Sequence, residues 1–521
     1  MTAQAKNLFR AATLVSLALV SSRILGYVRE ALLAARFGAT YTTDAYLVAQ
    51  DIPTSLFAAV GAALVMVVIP VYRETVERRG TEAGWRLINT VLNGTLLLAA
   101  ILLTLGWIWS PAIVPMLVPK LPRSALDLSV SLTRTMLPMM LFMAVAGVAS
   151  AVLNANRYFT APALTGFVSN VAVIIGLVLV VDQRQIHWVA WAVVLGAAAT
   201  ALIQVPWLPK LGYRYEVVLD RHDPGLKQIL RLIVPVILTT FSIQLQNFID
   251  RYLASGLAEG SISALNYAVR VNALPYGVIG AAITTVLYPN LAEWAAADRT
   301  EQLQETITRG LRALSFVLLP MALGLIVFRG PIVQAFFQRG AFDPRATAAT
   351  AFALQFYAAG ILFFGWLDFL NRCFFALQDT MTPMWAAFGL VALNIGFNLA
   401  LVGPLAHGGL ALGTSLATVA AVAFLLWRLG RRLGGMATSV LVRSAAVNVA
   451  TAMAGALVGY IIYAAAARVV GGASLLHQAI RLAAGLGSLV VVHVGLAVLL
   501  GNQDVAEVRA GLPRRLGGTR S

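Results

Sequence analysis

Charged residues interrupt stretches that are otherwise apolar enough to cross a membrane. Arg23 and Arg29 lie in one such stretch with Glu30 beside them, Asp44 begins the next stretch, and Arg270 lies in a later one. A charge at the centre of a membrane helix costs at least about 2.5 kcal/mol, so it usually faces a wet cavity or a partner. These residues therefore predict a polar site between helices.

The arginines outnumber the acids near them, which favours an anionic ligand. Arginine suits phosphate in particular, because its planar guanidinium donates two parallel hydrogen bonds. The alternative is structural: Arg29 pairs with Glu30 or Asp44, and Arg23 extends to the membrane interface. That alternative is weaker for the three arginines taken together.

A second polar group lies in the C-terminal half. Asn247 and Asp250 share one apolar stretch, and Thr414 lies in another. Asn394 and Asn398 are four residues apart, on one helix face. Carboxylate, amide and hydroxyl oxygens suit a hard cation, so Asp250, Asn394, Asn398 and Thr414 predict a sodium site. The open alternative is that these groups join helices by ordinary hydrogen bonds.

The elements that must position these residues are membrane helices. Of the 521 residues 59% are hydrophobic and only 12% are charged, about half the charge of a soluble chain. The net charge of +16 comes from short basic clusters between apolar stretches, which argues against a nucleic-acid partner. Cys373 is the only cysteine, so no disulfide forms within the chain.

Fourteen stretches are long enough to span a hydrocarbon core of about 30 Å as helices. The predicted spans are 8–37, 44–72, 86–118, 125–153, 158–182, 187–208, 227–254, 260–291, 311–336, 347–376, 382–403, 408–428, 441–467 and 475–500. Short connections between them exclude a large extramembrane active site. Lysine and arginine concentrate at the N-terminus and after even-numbered spans, which predicts that both termini are cytoplasmic.

Twelve of these spans form an internal repeat. The segment from Gly61 to Pro70 recurs from Gly280 to Pro289, and matched Gly and Pro are harder to obtain by chance than matched Leu and Val. Six helices per copy give both copies one orientation. We therefore expect an all-α membrane protein with two six-helix lobes around a central cavity. The predicted parts are 1–221, 222–433, two extra helices over 434–502, and a basic cytoplasmic tail over 503–521.

Several motifs, taken in order, resemble the MurJ (MviN) family of lipid II flippases, within the multidrug/oligosaccharidyl-lipid/polysaccharide (MOP) exporter superfamily. The motifs are Ser22 to Glu30, Thr43 to Tyr46, Gly61 to Pro70, Arg339 to Phe342 and Phe375 to Pro383. The resemblance covers essentially the whole chain. It implies transport of an undecaprenyl-pyrophosphate-linked peptidoglycan precursor, lipid II, to the outer leaflet by alternating access, without catalysis.

The resemblance also implies roles for the charged residues. Arg23, Arg29 and Arg270 would engage the pyrophosphate, Asp44 would be the acid at the start of the second helix, and the two extra helices would form a groove for the lipid tail. Asp250, Asn394, Asn398 and Thr414 would match the family's sodium site, with an amide at Asn398 where an acid can occur. The basic pair that many members carry after Pro53 is absent here, because this chain reads Thr-Ser-Leu-Phe-Ala.

Other functions remain open from the sequence. They are a flippase for another polyprenyl-linked saccharide, a cationic-drug exporter, a polytopic glycosyltransferase, and a non-transporting scaffold of the wall-synthesis complex. The basic cavity disfavours a cation exporter, and the lack of a long external loop disfavours a glycosyltransferase. The chain carries no Gly-rich phosphate loop for ATP. The expected location is the bacterial cytoplasmic membrane, and the expected partners are lipid II, membrane lipids and wall-synthesis proteins.

Overall fold

The computed structural model describes residues 3–180, 182, 185–277, 281–435, 438–472, 474–502 and 504–505. These residues form seventeen α-helices and short 3-10 turns, and they contain no strand. The expectation of an all-α protein is confirmed. Of the basic tail predicted for 503–521, all but Asp504 and Val505 lies outside the described residues, as does Gly280 of the repeated segment.

The helices follow one another with short connections. Their bounds are α1 Ala3–Phe37, α2 Tyr41–Arg79, α3 Thr81–Leu117, α4 Arg123–Met136, α5 Met139–Ala155, α6 Thr160–Leu179, α7 Ile186–Leu202, α8 Pro224–Ala254, α9 Ser261–Pro275, α10 Ala281–Ala296, α11 Thr300–Val327, α12 Arg329–Phe337, α13 Pro344–Ala359, α14 Ile361–Ala376, α15 Met381–Arg432, α16 Thr438–Val469 and α17 Leu475–Leu499.

Every predicted span overlaps a helix or a pair of consecutive helices. Within the described residues, seven helices are long and apolar enough to cross a membrane, or nine if each bent pair counts as one span. The number fourteen stays a prediction. The spans 382–403 and 408–428 both fall in α15, which is broken at Ala406, where φ is 48°.

Beyond that break, the second half of α15 packs back on the first. A Cβ at Gly413 would lie 2.2 Å from the Oδ1 atom of Asn398 and 3.2 Å from its backbone nitrogen, so glycine allows this close approach without moving the Asn398 side chain.

Two bent helix pairs occupy matching places in the repeat. The helices α4 and α5 meet at 42°, and α13 and α14 meet at 47°. The first bend coincides with Pro138, whose ring and missing N–H interrupt helical hydrogen bonding.

The loops that follow the two bent pairs also match. Arg157 and Gln378 both have positive φ, and the next residue in each loop donates its N–H to a carbonyl five residues back. These shared features support the internal repeat.

The chain divides into two compact units. The first comprises 1–263 and 339–343, and the second comprises 264–338 and 344–521. Helix α8 therefore belongs to the first unit, whereas the repeat assigns it to the second half of the chain. The lobe boundary predicted at 221/222 follows the repeat and stays a prediction.

In the first unit α2 is the central helix. It packs against α3, α4, α5 and α8, while α1 packs against α6 and α6 against α7. The apolar core of this unit lies between α2, α3 and α5, with Phe57, Val68, Leu87 and Met140 among its fully buried side chains. Because α2 has 39 residues and α3 has 37, both are longer than a hydrocarbon core of about 30 Å at 1.5 Å per residue, and their ends extend beyond it.

In the second unit α11 is the helix that joins the others. It packs against α10, α13, α14 and α16, and α16 packs closely along α17. A Cβ at Gly455 or Gly459 would lie 2.6 Å from a carbonyl oxygen of α17, so these small residues allow the two helix backbones to touch.

Candidate functional site

Arg29 lies on α1, in the first unit, and is mostly buried. One terminal nitrogen of its guanidinium lies 2.8 Å from Glu30 Oε1, and the other donates to Asn170 Oδ1 at 3.1 Å. Asn170 on α6 in turn donates to the carbonyl of Ser22 at 2.9 Å. The pairing with Glu30 is the one that the structural alternative proposed. The guanidinium is thereby held in one orientation between α1 and α6.

The Arg29 side chain borders a cavity of about 390 Å³ inside the first unit. Residues from α1, α2, α5, α6 and α7 line it. Half of the lining side chains are hydrogen-bonding groups, and apart from Arg29 all of these are uncharged amides or hydroxyls. The cavity therefore combines one cationic corner with neutral polar walls.

Asp44 is buried in the first unit and accepts three hydrogen bonds. Its carboxylate receives the backbone N–H of Gly260 at 3.0 Å, and the backbone N–H of Ser263 at 2.8 Å together with the Ser263 hydroxyl. These donors lie at the start of α9, where unpaired N–H groups favour a negative charge. Asp44 thus caps a distant helix and does not pair with Arg29.

Two motifs that carry the family resemblance meet close to Asp44. Thr43 donates to the carbonyl of Gly38 in the turn between α1 and α2, and Ala341 donates its backbone N–H to the carbonyl of Ala35 at 2.8 Å. A Cβ at Gly340 would lie 2.2 Å from that same carbonyl oxygen, and φ there is 58°. The close approach therefore requires glycine at 340, and Thr43 fixes the turn that this segment contacts.

The other two predicted arginines are exposed. Arg23 lies on α1, two turns before Arg29, and Arg270 lies on α9 in the second unit. Of the four residues predicted to bind the substrate, Arg29 and Asp44 are thus the two that are shielded from solvent, Arg29 mostly and Asp44 fully, and both lie in the first unit. Their side chains have different partners.

The residues of the predicted sodium site bond to one another where they share a unit. Asn398 donates to Asn394 Oδ1 at 3.0 Å, and Asn394 donates to the Thr414 hydroxyl at 3.1 Å. That hydroxyl donates to the carbonyl of Leu410. Asp250 belongs to the first unit.

Two of the oxygens proposed as ligands already receive an N–H, so a cation would have to displace these hydrogen bonds. The arrangement favours the alternative of helix-joining bonds. The described residues contain no group of three His, Cys, Asp or Glu side chains suited to a metal.

Two further ion pairs lie between helices, one partly buried and one with a fully buried carboxylate. Asp51 on α2 lies 2.8 Å from Arg251 on α8, and both are within the first unit. Arg312 on α11 pairs with Asp504 at 2.5 Å in the second unit. Asp51 and Arg312 each lie in a predicted span, so the rule that flagged Arg29 also applies to them. Nothing in the sequence marks Asp504, because its partner is far away in the chain.

The loop between α14 and α15 carries the last of the resemblance motifs. Asp379 accepts from the backbone N–H of Thr382 at 2.9 Å and from its hydroxyl at 2.8 Å, and Arg432 donates to it at 3.1 Å. Partial burial disfavours the charged carboxyl, but these hydrogen bonds and the arginine charge outweigh it and lower the pKa of Asp379. Asp379 therefore caps α15 as an anion.

Comparison with known proteins gives consistent matches. The family model of "Lipid II flippase MurJ" matches residues 33–480. The lipid II flippase MurJ of Burkholderia cenocepacia is 32% identical over 441 residues, covering 82% of this chain and 85% of that protein. The probable lipid II flippase MurJ of Rhizobium tropici is 28% identical over 519 residues, covering 96% and 95%.

Solved structures show the same fold. A lipid II flippase MurJ in an inward closed conformation superimposes with a TM-score of 0.79 at 24% identity, covering 94% of this chain and 100% of that one. An inward-facing multidrug resistance MATE family transporter of the MOP superfamily gives a TM-score of 0.67 at 15% identity, covering 81% and 98%.

The helical fold, the internal repeat and the polar cavity define a multi-pass membrane transporter with the fold of the MOP superfamily. The match to the family model extends over most of the chain. The chain belongs to the MurJ lipid II flippase family.

Proposed function

We propose that this chain moves lipid II from the cytoplasmic to the outer leaflet of the bacterial cytoplasmic membrane by alternating access. The observation that carries the proposal is the position of Arg29, which is held by Glu30 and Asn170 at the edge of a polar cavity. A fixed guanidinium beside neutral donors and acceptors suits a pyrophosphate joined to an uncharged polar group. Its relatives are named as lipid II flippases, and a flippase is a transporter, not an enzyme.

The contact around Asp44 supports alternating access. It joins the turn between α1 and α2 to the start of α9 through hydrogen bonds to one carboxylate. Hydrogen bonds to one carboxylate, each worth about 1.5–3 kcal/mol, can be broken and remade, as a transporter that opens and closes requires.

Further parts of the proposal follow from the sequence. We infer from the distribution of lysine and arginine that both termini are cytoplasmic. We infer that the paired helices α16 and α17 present a groove to the lipid tail, since large apolar side chains such as Met453, Leu457 and Val491 are exposed on them. Sodium coupling and contact with wall-synthesis proteins stay predictions.

The test is complementation in a bacterium whose own lipid II flippase can be depleted. Each of Arg23, Arg29 and Arg270 is replaced by alanine, and lipid II exposed on the outer surface is measured after depletion. Loss of a charge-assisted hydrogen bond is worth about 1.5–3 kcal/mol, so flipping should fall about tenfold to a hundredfold. Arg36→Ala is the control, because Arg36 lies on the same helix and contacts a carbonyl at 3.4 Å.

Normal growth of all three variants at normal membrane levels would instead favour the scaffold alternative. Failure of the unaltered chain to restore surface lipid II, with growth dependent on another saccharide lipid, would favour a flippase for that lipid.

A further inference from the structure

The cavity beside Arg29 is larger than a phosphate requires, and it is partly lined by polar side chains. It measures about 390 Å³, within the range of small-molecule sites, and its polar side chains come from five helices. We propose that it binds the saccharide of the lipid-linked substrate, with Arg29 directed at the neighbouring phosphate. This inference rests on the proposed function and names the part of the substrate that this cavity recognises.

The back of the cavity is a fixed polar wall. Gln204, in the turn after α7, is fully buried and donates to the backbone carbonyl of Thr200 at 2.9 Å, while its Oε1 accepts from the Ser150 hydroxyl at 2.7 Å. The Gln204 and Ser150 side chains are thereby held in place between α7 and α5. A preorganised wall of this kind presents its remaining acceptor positions without reordering when a ligand enters.

Two further polar groups in the cavity are available to a ligand. The amide of Gln50 on α2 and the hydroxyl of Ser169 on α6 line the cavity, and neither side chain has a hydrogen-bond partner within the part of the chain that the structure describes. An amide and a hydroxyl can each donate and accept, which matches the hydroxyl and acetamido groups of a sugar. Apolar ligands would leave both groups unpaired and buried, which is unfavourable.

Charge selects among the polar ligands. Among the residues that the structure describes, no carboxylate lines the cavity, and its one charged lining group is the Arg29 guanidinium, which pairs with Glu30, so a cationic ligand would find no anionic partner on the cavity wall. A charged peptide attached to the substrate would find no partner on the neutral walls. A saccharide next to a phosphate is the part of the molecule that fits a cationic corner with neutral walls.

Equilibrium binding to the purified full-length chain in detergent tests the proposal. The variants are Gln50→Leu and Ser169→Ala, and the control is Ser131→Ala, which removes a serine hydroxyl from an exposed site on α4. Three probes are compared: intact lipid II, the same lipid without its peptide, and undecaprenyl pyrophosphate without saccharide. Retention of the thermal transition in each variant confirms that it is folded.

If the cavity binds the saccharide, both variants raise the Kd for the two saccharide-bearing probes about tenfold and leave the Kd for undecaprenyl pyrophosphate unchanged. A defect that disappears with the peptide-free probe would assign the cavity to the peptide and overturn the proposal, as would equal losses for all three probes or no loss for any. If the unaltered chain binds none of the probes, the proposed function itself fails, which separates the two outcomes.

Discussion

Asp44 in the first unit and Asp504 in the second are both buried, and the fold neutralises them in different ways. Asp44 receives two backbone N–H groups and a hydroxyl from Gly260 and Ser263, at the start of a helix. Asp504 is fully buried and receives the guanidinium of Arg312 and the side chains of Ser444 and Asn448. Asp44 thus caps the start of α9. Asp504 links α11 to α16, and we call its contact with Arg312, Ser444 and Asn448 the clamp.

Because the partners of Asp44 and Asp504 differ, we expect the Asp44 contact to be able to open and the Asp504 contact to stay fixed. Opening the Asp44 contact would leave one carboxylate without its donors, but it would leave no buried cation. Separating Arg312 from Asp504 would leave two uncompensated charges in an apolar interior, which is far more costly. A buried charged residue in a membrane helix is therefore a candidate for a role in conformational change only when its hydrogen bonds can be broken and replaced by others.

The clamp gives the largest expected effect. Arg312→Ala leaves the Asp504 carboxylate buried without its cation, so the free energy of unfolding should fall by about 3–5 kcal/mol. Thermal and denaturant unfolding in detergent measure the loss. In Arg312→Met combined with Asp504→Leu, both charges are gone, and most of the stability should return.

A loss below about 1 kcal/mol for Arg312→Ala would show that water reaches the pair and that the clamp does not hold α11 to α16. His493 provides a neighbouring reference. It joins the same helices through Thr451 and the carbonyl of Phe316 without a charge pair.

The Asp44 contact should give a smaller and more local effect. Asp44→Ala leaves the N–H groups of Gly260 and Ser263 without their acceptor, at a cost of about 1–3 kcal/mol. Hydrogen exchange should accelerate at the amides of 260–263 and stay unchanged at 444–448. Asp44→Asn keeps one carbonyl acceptor and should show an intermediate rate. Equal acceleration at both places would mean that the whole chain is destabilised and that the contact is not local.

The regions around Asp44 and Asp504 show how much of the fold and of the site the sequence could predict. Apolar length and Gly/Pro positions predict where helices lie, and charge inside a span identifies Arg29 and Asp44 as residues that need an explanation. The partners were not predictable, because Asp44 bonds to backbone N–H groups more than two hundred residues away. The sequence places Asp504 in the basic tail predicted for 503–521, because its partner Arg312 lies far away in the chain and only folding brings the two together.

The hydrogen-bonded side chains of Asn394, Asn398 and Thr414 in α15 form a third polar group. Its loss should lower the free energy of unfolding less than loss of the Asp504 or the Asp44 contact. If Asn394, Asn398 and Thr414 join the two halves of the helix, Asn394→Ala should cost about 0.6 kcal/mol and at most about 1.7 kcal/mol, the average and the maximum measured for hydrogen bonds between membrane helices. The loss should be the same in Na⁺ and in K⁺. Thr418→Ala is the control, because within the described part of the chain its hydroxyl bonds only to the backbone carbonyl of Thr414.

A sodium site would give a different pattern in the same measurement. Binding of Na⁺ to the folded chain would raise the thermal transition of the unaltered protein as Na⁺ is titrated, and Asn394→Ala would remove that rise. That result would show that the hydrogen bonds among the three residues give way to the ion. The polar group of α15 would then resemble the Asp44 contact, which can open, more than the fixed clamp at Asp504.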